Sequence, residues 1–520
     1  MKYLMAIDAG TGSVRAVIFD TLGNQIAISQ KVWEHLSEEG VPNSMGFDFE
    51  KNWSLTLDCI ENVIKQSKID PTNIVAISSS SMREGIVVYD KDNNELWGVA
   101  NVDARASKEV QELKSKYEGI EKEFYSKSGQ TLALGAIPRL LWLKKYKKDI
   151  YDKVASISMI SDWILFKLSG VISVEPSNAS TTGILNLKSR DWQNDFAKKV
   201  GLKDNIFPKV YETGETIGLI SKNIAQKLNL SYLVKIVSGG GDVQIGSLGL
   251  GIISKGEVAI LGGSFWQQIV NIPLETQLPE DMNIRVNSHV LQNLSQAEGI
   301  TFFSGLVMRW FVDAFCDIEK LEAKEQGRDV YSILEVKASK VPVGSYDITP
   351  IFSDSMNYAK WYHAAPSFIN LSIDSSICNK ASMFRSLEEN AAIVSYINLQ
   401  KVQKFTNIEF DTIVFASGAS KGELWCQILS DVTGKYIKVP VVKEATSLGC
   451  AIAAGVGAGI YSSLEDGAKA LVKWDKTYSP NMDNHILYQE ITKRWEKIYK
   501  SQLDLVDQNL TTSMWKAPGL

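Results

Sequence analysis

A glycine-rich turn near the start of the chain carries residue types that bind phosphate and divalent cations. It follows a predicted strand ending in Asp8 and consists of Gly10, Thr11, Gly12 and Ser13. The backbone N–H groups of such a turn can bind phosphate oxygens, the two hydroxyls add donors, and Arg15 adds a cation. Asp8 is placed to hold Mg²⁺, usually through water. On this segment alone, an ordinary hairpin turn explains the glycines equally well.

Two other segments place charged side chains beside glycine or strand patterns. Asp242 follows three successive glycines, which let the backbone approach a ligand closely, and its carboxylate could act as a general base. Arg83 and Glu84 interrupt two strand-like runs and offer donors and acceptors for vicinal hydroxyls. The alternatives are an ordinary glycine turn at Asp242 and an exposed salt bridge between Arg83 and Glu84. No P-loop sequence occurs.

The elements around these motifs predict a mixed α/β fold that repeats along the chain. Residues 3–8, 14–20 and 25–30 have the composition of successive strands. Residues 256–260 and 265–271 repeat the first two of them, so that residues 6–11 align with residues 259–264. We therefore predict two domains, residues 1–250 and 251–520, whose glycine turns face one ligand in a common cleft.

Helical patterns lie between and after these strands. Residues 53–67 and 108–117 have helical periodicity, and residues 411–429 are predicted to form a strand, a glycine turn and a helix with Ser420 near its N-cap. The uncharged run 446–464 is long but rich in glycine and alanine. This composition is too weakly apolar for a membrane span and predicts a closely packed internal helix and turn.

Composition excludes several classes of partner. The 520 residues include 55 Lys and Arg against 60 Asp and Glu, a net charge of −5 without long single-sign blocks. This argues against nucleic-acid and anionic-membrane partners. The five cysteines have neither metal-site nor disulfide spacing, and Asp8 interrupts any N-terminal apolar region. We expect a protein of the reducing cytoplasm without a secretion signal.

Seven ordered motifs together resemble the FGGY carbohydrate kinases, a branch of the actin-like ATPase superfamily. They are DAGTGSVRAVIFD at Asp8, SMREGIVVYD at Ser81, NVDARA at Asn101, SDWILFKLSG at Ser161, EPSNASTTG at Glu175, GGGD at Gly239 and SGASKGELWCQILSDVTG at Ser417. The resemblance covers nearly the whole chain. It implies two actin-like, ribonuclease H-like α/β domains flanking a cleft that binds ATP and Mg²⁺.

The same resemblance assigns roles to individual residues. The N-terminal domain is expected to supply the metal-associated Asp8, the first phosphate loop and the general base Asp242. Substrate contacts are expected from Met82, Arg83 and Glu84, together with Asp242. The C-terminal domain is expected to bind the nucleotide through Gly263 and Ser264 of the second phosphate loop, Gly305, Arg309, Gly418 and Ala419. Ser417 stands where the family commonly has glycine.

Substrate motifs narrow the expected activity. The pair Arg83-Glu84 resembles that of glycerol kinases, but residues 129–142 lack the tyrosine expected for glycerol, and xylulokinases usually carry Met-His at positions 82 and 83. Similarity is greatest, including the terminal LTTSMWKAPGL, to a subgroup that phosphorylates a quorum-sensing signal. The implied substrate is the linear form of 4,5-dihydroxy-2,3-pentanedione, phosphorylated at its terminal hydroxyl.

Three alternatives stay open at this point. The first is a kinase for another small ketose or polyol such as xylulose, which fold resemblance alone does not reject. The second is a sugar sensor without turnover, which the retained Asp8 and Asp242 disfavour. The third is an actin-like chaperone or filament protein, which would be expected to need a client domain or polymer surfaces. A regulatory protein partner is compatible with the sequence, which identifies none.

Overall fold

The computed structural model describes residues 1–354, 357–442 and 444–520 of the chain. Its strands, in chain order, are β1 (Tyr3–Ala9), β2 (Ser13–Asp20), β3 (Gln25–Val32), β4 (Ile74–Ser81), β5 (Ile86–Tyr89), β6 (Glu95–Val99), β7 (Ser156–Met159), β8 (Thr216–Leu219), β9 (Lys235–Gly241), β10 (Val258–Gly262), β11 (Trp266–Pro273), β12 (Arg285–Ser288), β13 (Leu294–Thr301), β14 (Thr349–Ile351), β15 (Ser367–Ile369), β16 (Thr412–Ala416), β17 (Tyr436–Pro440) and β18 (Trp474–Tyr478).

The α-helices alternate with these strands in the manner of an α/β protein. They are α1 (Phe49–Ser67), α2 (Ser107–Lys116), α3 (Ile120–Ser128), α4 (Ala136–Tyr146), α5 (Lys148–Tyr151), α6 (Ile160–Ser169), α7 (Pro176–Ala179), α8 (Asn194–Lys199), α9 (Lys222–Leu228), α10 (Asp242–Gly249), α11 (Ser304–Phe315), α12 (Asp317–Gln326), α13 (Val330–Ala338), α14 (Lys380–Thr406), α15 (Glu423–Thr433), α16 (Ala445–Gly457), α17 (Leu464–Leu471) and α18 (Met482–Asp507).

Two sheets repeat one strand order. The first runs β3-β2-β1-β4-β9-β8, and the second runs β12-β13-β11-β10-β16-β17-β18. In each, an antiparallel meander is followed by two parallel strands: β1 pairs with β4 and β4 with β9, as β10 pairs with β16 and β16 with β17. The order β3-β2-β1-β4-β9 thus corresponds to β13-β11-β10-β16-β17. This agrees with the predicted duplication, whereas the division at residue 250 stays a prediction.

The first sheet is covered on both faces, which explains the almost uninterrupted apolar sequence of β1. Met5 packs in the same hydrophobic cluster as Ile60 of α1. Its neighbour Leu4 points to the opposite face and packs in the cluster that contains Ile452 of α16. The predicted internal helix at residues 446–464 is therefore confirmed as α16 and the turn after it. The helices predicted at residues 53–67 and 108–117 are confirmed as α1 and α2.

The predicted helix start near Ser420 is confirmed, although Ser420 is not the capping residue itself. Helix α15 has Gly422 at its N-cap, whereas Ser420 lies within a preceding 3₁₀ turn, Gly418–Lys421. The Ser420 hydroxyl donates a hydrogen bond to the carbonyl oxygen of Ser417 at 2.9 Å and so is not available to the helix. Within the described ranges, no helix is long and apolar enough to cross a membrane.

Candidate active site

The first glycine turn joins β1 to β2 and leaves Thr11 and Gly12 exposed at the end of the sheet. Asp8 pairs in register with Arg15 across the hairpin and is buried. The Arg15 guanidinium lies 3.8 Å from the Asp8 carboxylate and also forms a short ion pair with Glu444. Arg15, predicted to contact ATP, is therefore already engaged by two carboxylates.

The second glycine turn occupies the equivalent hairpin between β10 and β11. Gly263 and Ser264 are exposed, and the Gly305 N–H at the start of α11 donates to the Ser264 carbonyl oxygen at 3.2 Å. A Cβ at residue 305 would lie 2.3 Å from the Gly263 carbonyl oxygen. Only glycine at position 305 therefore allows α11 to approach the turn this closely, so backbone packing explains why the residue is glycine.

The predicted nucleotide residues of the second half line one cleft with a volume of about 520 Å³. Six of them meet there, although they come from three separate parts of the chain: Gly263, Ser264, Gly305, Arg309, Gly418 and Ala419. Aromatic walls are added by Tyr331, Phe384 and Trp425. A cleft of this size with apolar walls and an exposed arginine is suited to a nucleotide.

The sequence reasoning missed the acidic residues that line this cleft, Asp329, Glu335 and Glu388, of which the last two lie next to each other. Glu335 of α13 accepts hydrogen bonds from backbone N–H groups at the start of α15, although burial still raises its pKa. Glu388 of α14 is buried, and burial together with the neighbouring Glu335 raises its pKa well above the usual range. Burial therefore favours the protonated form of Glu388 beside Glu335. No local motif marks the two residues, because they come from different helices.

The turn that follows β16 has a strained residue at its first position. Ser417 adopts φ 78° and ψ −165°, a region that is essentially restricted to glycine. A serine at this position, where glycine is commonly found, therefore strains the backbone. The strain lies immediately before Gly418 and Ala419 in the nucleotide cleft.

Asp242 lies where β9 ends and α10 begins. The three glycines before it belong to β9 and permit close packing, since a Cβ at Gly239 would lie 1.8 Å from the Ser79 carbonyl oxygen of β4. Burial raises the pKa of Asp242 to about 7, Arg83 opposes the shift at 3.6 Å, and Asp8 and Glu84 add to it. The Asp242 side chain keeps 36% of its surface exposed. It is thus accessible and titrates near neutral pH.

The alternative interpretation of Arg83 and Glu84, an exposed salt bridge between them, is wrong. Both side chains are buried, and each pairs with a residue of the second half of the chain. Arg83 forms a bidentate pair with Glu298 of β13, with nitrogen–oxygen distances of 2.6 and 2.8 Å. Glu84 forms a short ion pair with Arg285 of β12, and Arg285 and Arg83 outweigh burial and lower the pKa of Glu84.

A small buried cavity lies beside this charge cluster. Its lining includes Glu84, Arg285, Gln130, Thr131, Leu134, Thr181, Tyr358 and Trp361. Its volume is about 10 Å³, which is the space of roughly one water molecule. Met82, predicted to bind substrate, instead packs in the hydrophobic core of the first half with 1% of its surface exposed. Its placement argues against direct substrate contact.

The residues at the first glycine turn fit a Mg²⁺ ion that arrives with phosphate. Across residues 1–354, 357–442 and 444–520, no group of three His, Cys, Asp or Glu side chains is arranged to hold a metal. Mg²⁺ commonly binds only one or two carboxylates together with substrate phosphates. Asp8 supplies one such carboxylate, and burial raises its pKa to about 6 despite the Arg15 charge.

Comparison with known proteins identifies the family. The FGGY family of carbohydrate kinases matches with its N-terminal domain at residues 3–249 and its C-terminal domain at residues 276–458. The autoinducer-2 kinases of Salmonella typhimurium and Escherichia coli are 54% identical over 519 residues, which covers 100% of this chain and 98% of each relative. The chain belongs to the FGGY family of carbohydrate kinases, which use ATP as phosphate donor.

Solved structures agree with the fold. The xylulose kinase from Lactobacillus acidophilus superposes with a TM-score of 0.83 at 20% identity, covering 96% of this chain and 98% of that one. The glycerol kinase from Plasmodium falciparum gives a TM-score of 0.80 at 20% identity, covering 97% and 98%. The predicted fold class, two actin-like α/β domains, is therefore confirmed.

Proposed function

We propose that this enzyme phosphorylates autoinducer-2, in the form of linear 4,5-dihydroxy-2,3-pentanedione, at its terminal hydroxyl. The observation that carries the proposal is the 54% identity over the full length to proteins named autoinducer-2 kinase. A cavity lined by buried polar groups, among them Glu84, whose charge acts on Asp242, supports a small polar substrate. In this proposal the enzyme acts in the cytoplasm.

Asp242 acts as the general base. The substrate hydroxyl oxygen forms a bond to the γ-phosphorus of ATP, the bond between that phosphorus and the β–γ bridging oxygen breaks, and ADP leaves. The hydroxyl proton passes to the Asp242 carboxylate. A pKa of about 7 suits this role, because the base is substantially ionised at neutral pH and still accepts a proton readily.

The remaining work of the site is positioning and charge stabilisation. Domain 1–250 would supply Asp8, the turn from Gly10 to Ser13, and the Glu84 side of the substrate cavity. Domain 251–520 would bind adenosine at Gly418 and Ala419 and phosphate at Gly263 and Ser264. Mg²⁺ held at Asp8 would neutralise phosphate charge. Closure of the domains would exclude water and limit ATP hydrolysis.

A substrate panel tests the proposal. ADP release is measured with dihydroxypentanedione, xylulose, ribulose, erythritol and glycerol. The Asp242→Asn variant gives the background rate of ADP release that is not due to phosphoryl transfer to the substrate. The dione should give the highest specificity constant. A higher specificity constant for xylulose or glycerol would contradict the substrate assignment and favour the ordinary sugar kinase. Absence of substrate-dependent ADP release across the panel would favour the sensor.

A further inference from the structure

The small cavity beside Glu84 is lined by two residues, Arg285 and Trp361, that each carry an N–H group without a hydrogen bond to any described residue. Arg285 is buried, with its Nε bonded to the Gln130 side-chain oxygen at 2.9 Å and its Nη2 paired with Glu84. Its Nη1 makes no hydrogen bond to any described residue. Trp361 is 3% exposed, and its indole N–H has no partner within the described ranges.

An unpaired buried N–H such as that of Trp361 is costly, because it loses its bond to water without replacement. Trp361 is fixed in place by ring contacts with Phe302, Tyr358 and Trp515 at centroid distances of 4.9, 5.5 and 4.9 Å. Trp361 also lines the cavity, so its unpaired N–H is a donor available for a ligand oxygen.

The other polar groups of the cavity are largely committed to the protein. The Gln130 amide nitrogen bonds Val286 and Asn287, and its oxygen accepts from Arg285 and the Tyr358 hydroxyl. The Tyr358 hydroxyl also accepts from the Thr131 N–H. Arg83, the predicted substrate donor, already uses both terminal nitrogens on Glu298. The second carboxylate oxygen of Glu84 is thus the main acceptor left beside the donors Arg285 and Trp361.

This donor and acceptor pattern fits one arrangement of oxygens. We propose that Arg285 and Trp361 donate to the two neighbouring carbonyl oxygens of the substrate, while Glu84 accepts from the adjacent hydroxyl. The inference rests on the proposed function and deepens it, because it names the residues that select a vicinal dione. A carbonyl oxygen only accepts hydrogen bonds, which matches the N–H groups of Arg285 and Trp361. A hydroxyl at the same place would also carry a proton, and neither of these two groups can accept it.

Entry of the substrate requires the two halves to separate, since the closed cavity holds about 10 Å³. Arg285 and Trp361 come from the second half of the chain and Glu84 from the first. The selecting donors therefore close over a substrate already bound at Glu84 and Asp242.

The test compares the specificity constants for the dione and for xylulose, alongside ATP affinity by calorimetry. Trp361→Phe removes the N–H and keeps an aromatic ring. Arg285→Lys keeps the charge that pairs with Glu84 but loses the planar fork. Each variant should lower the dione-to-xylulose ratio about tenfold to hundredfold, mainly through KM for the dione, with ATP affinity unchanged.

Matched controls separate recognition from packing. Trp266→Phe removes another buried, unpartnered indole N–H that lies outside the cavity. Arg190→Lys weakens another arginine contact between the two halves, because Arg190, which is paired with Glu212 in the first half, donates to the His289 carbonyl oxygen of the second half at 3.0 Å. Both controls should leave the substrate ratio unchanged.

The outcomes are distinguishable. A wild-type preference for xylulose would overturn the proposed function and with it this inference. A wild-type preference for the dione that persists unchanged in Trp361→Phe and Arg285→Lys would overturn the inference alone. The wild-type enzyme gives a check that needs no variant. An analogue with both carbonyls reduced to hydroxyls should lose about tenfold to hundredfold in kcat/KM, and equal use of that analogue would refute the assignment.

Discussion

Replacing Asp242 by asparagine isolates the proposed proton transfer. The amide has nearly the same shape as the carboxylate but cannot accept the substrate proton as a base. The Asp242 carboxylate accepts a hydrogen bond from the Val243 N–H at 2.8 Å and lies 3.6 Å from the Arg83 Nε, and an amide oxygen can replace the acceptor in both contacts. The variant should fold and bind ATP. General-base assistance is typically worth ~10²–10⁴-fold, so turnover should fall by that much or more.

The pH dependence of the wild-type rate follows from the same residue. Burial raises the pKa of Asp242 to about 7. Because the base acts in its ionised form, the rate should fall about tenfold per pH unit below that value and level off above it. In Asp242→Asn the titrating group is gone. The residual rate of the variant should therefore not fall below pH 7, that is, it should lack the acidic limb of the wild-type profile.

Stability should change in the opposite direction from activity. A folded-state pKa of about 7 against an ordinary 3.8 means that the folded protein favours the protonated acid. Ionisation then destabilises the fold, and this cost develops as the pH rises from 3.8 and is complete above about 7. Asp242→Asn should therefore melt higher than the parent above pH 7 and show no such gain near pH 4.

Steady-state transfer at saturating ATP and dione, from pH 5.5 to 8.5, tests the rate, and calorimetry tests nucleotide binding. Asp58→Asn, at an exposed position of α1, is the matched control and should behave as the parent. If Asp242→Asn binds nucleotide and keeps most of its turnover, Asp242 is not the base. Retention of the acidic limb in the variant would refute the assignment of that limb to Asp242.

Two further substitutions test the glycine turns. A Cβ at Gly12 would meet no protein atom within 4 Å, so Gly12→Val should leave the melting temperature of the nucleotide-free protein unchanged. The added side chain should weaken ATP binding because it would contact the phosphates. Unchanged ATP affinity by calorimetry would show that the turn is merely structural. Ser417→Gly relieves a backbone strain of about 1–3 kcal/mol. The greater conformational entropy of glycine in the unfolded chain offsets about 0.5–1 kcal/mol of this gain. The second half should therefore unfold at a higher urea concentration. An equal or lower midpoint would contradict the strain.

The parts of the site that could be predicted are those fixed by local sequence. A strand ending in Asp8 and followed by glycines forms a hairpin for reasons contained within about a dozen residues. The same holds for the glycine run before Asp242, where three residues without a Cβ allow β9 to lie against β4. The second hairpin, at Gly263, could also be predicted, because its strands and glycine turn likewise lie within one short segment.

The partners of the charged residues could not be read from the sequence. Glu298 is 215 positions from Arg83, and Arg285 is 201 positions from Glu84, so each pairing depends on how the two halves meet. A partial signal was present, because Glu298 is the only charged residue in β13. A lone carboxylate in an otherwise uncharged strand predicts a buried partner. It does not identify which arginine supplies it.

The ion pairs Arg83–Glu298 and Glu84–Arg285, which join the two halves of the chain, also explain why Asp242 can serve as a base. If the Arg83 guanidinium faced Asp242 alone, a close bidentate pair would lower the pKa of Asp242 and stabilise its ionised form, which weakens a base. Glu298 instead takes both terminal nitrogens of Arg83 at 2.6 and 2.8 Å and leaves Asp242 only the Nε at 3.6 Å. Burial then outweighs the remaining attraction, and the pKa stays near 7. The contact that joins the two halves of the chain therefore also sets the basicity on which transfer depends.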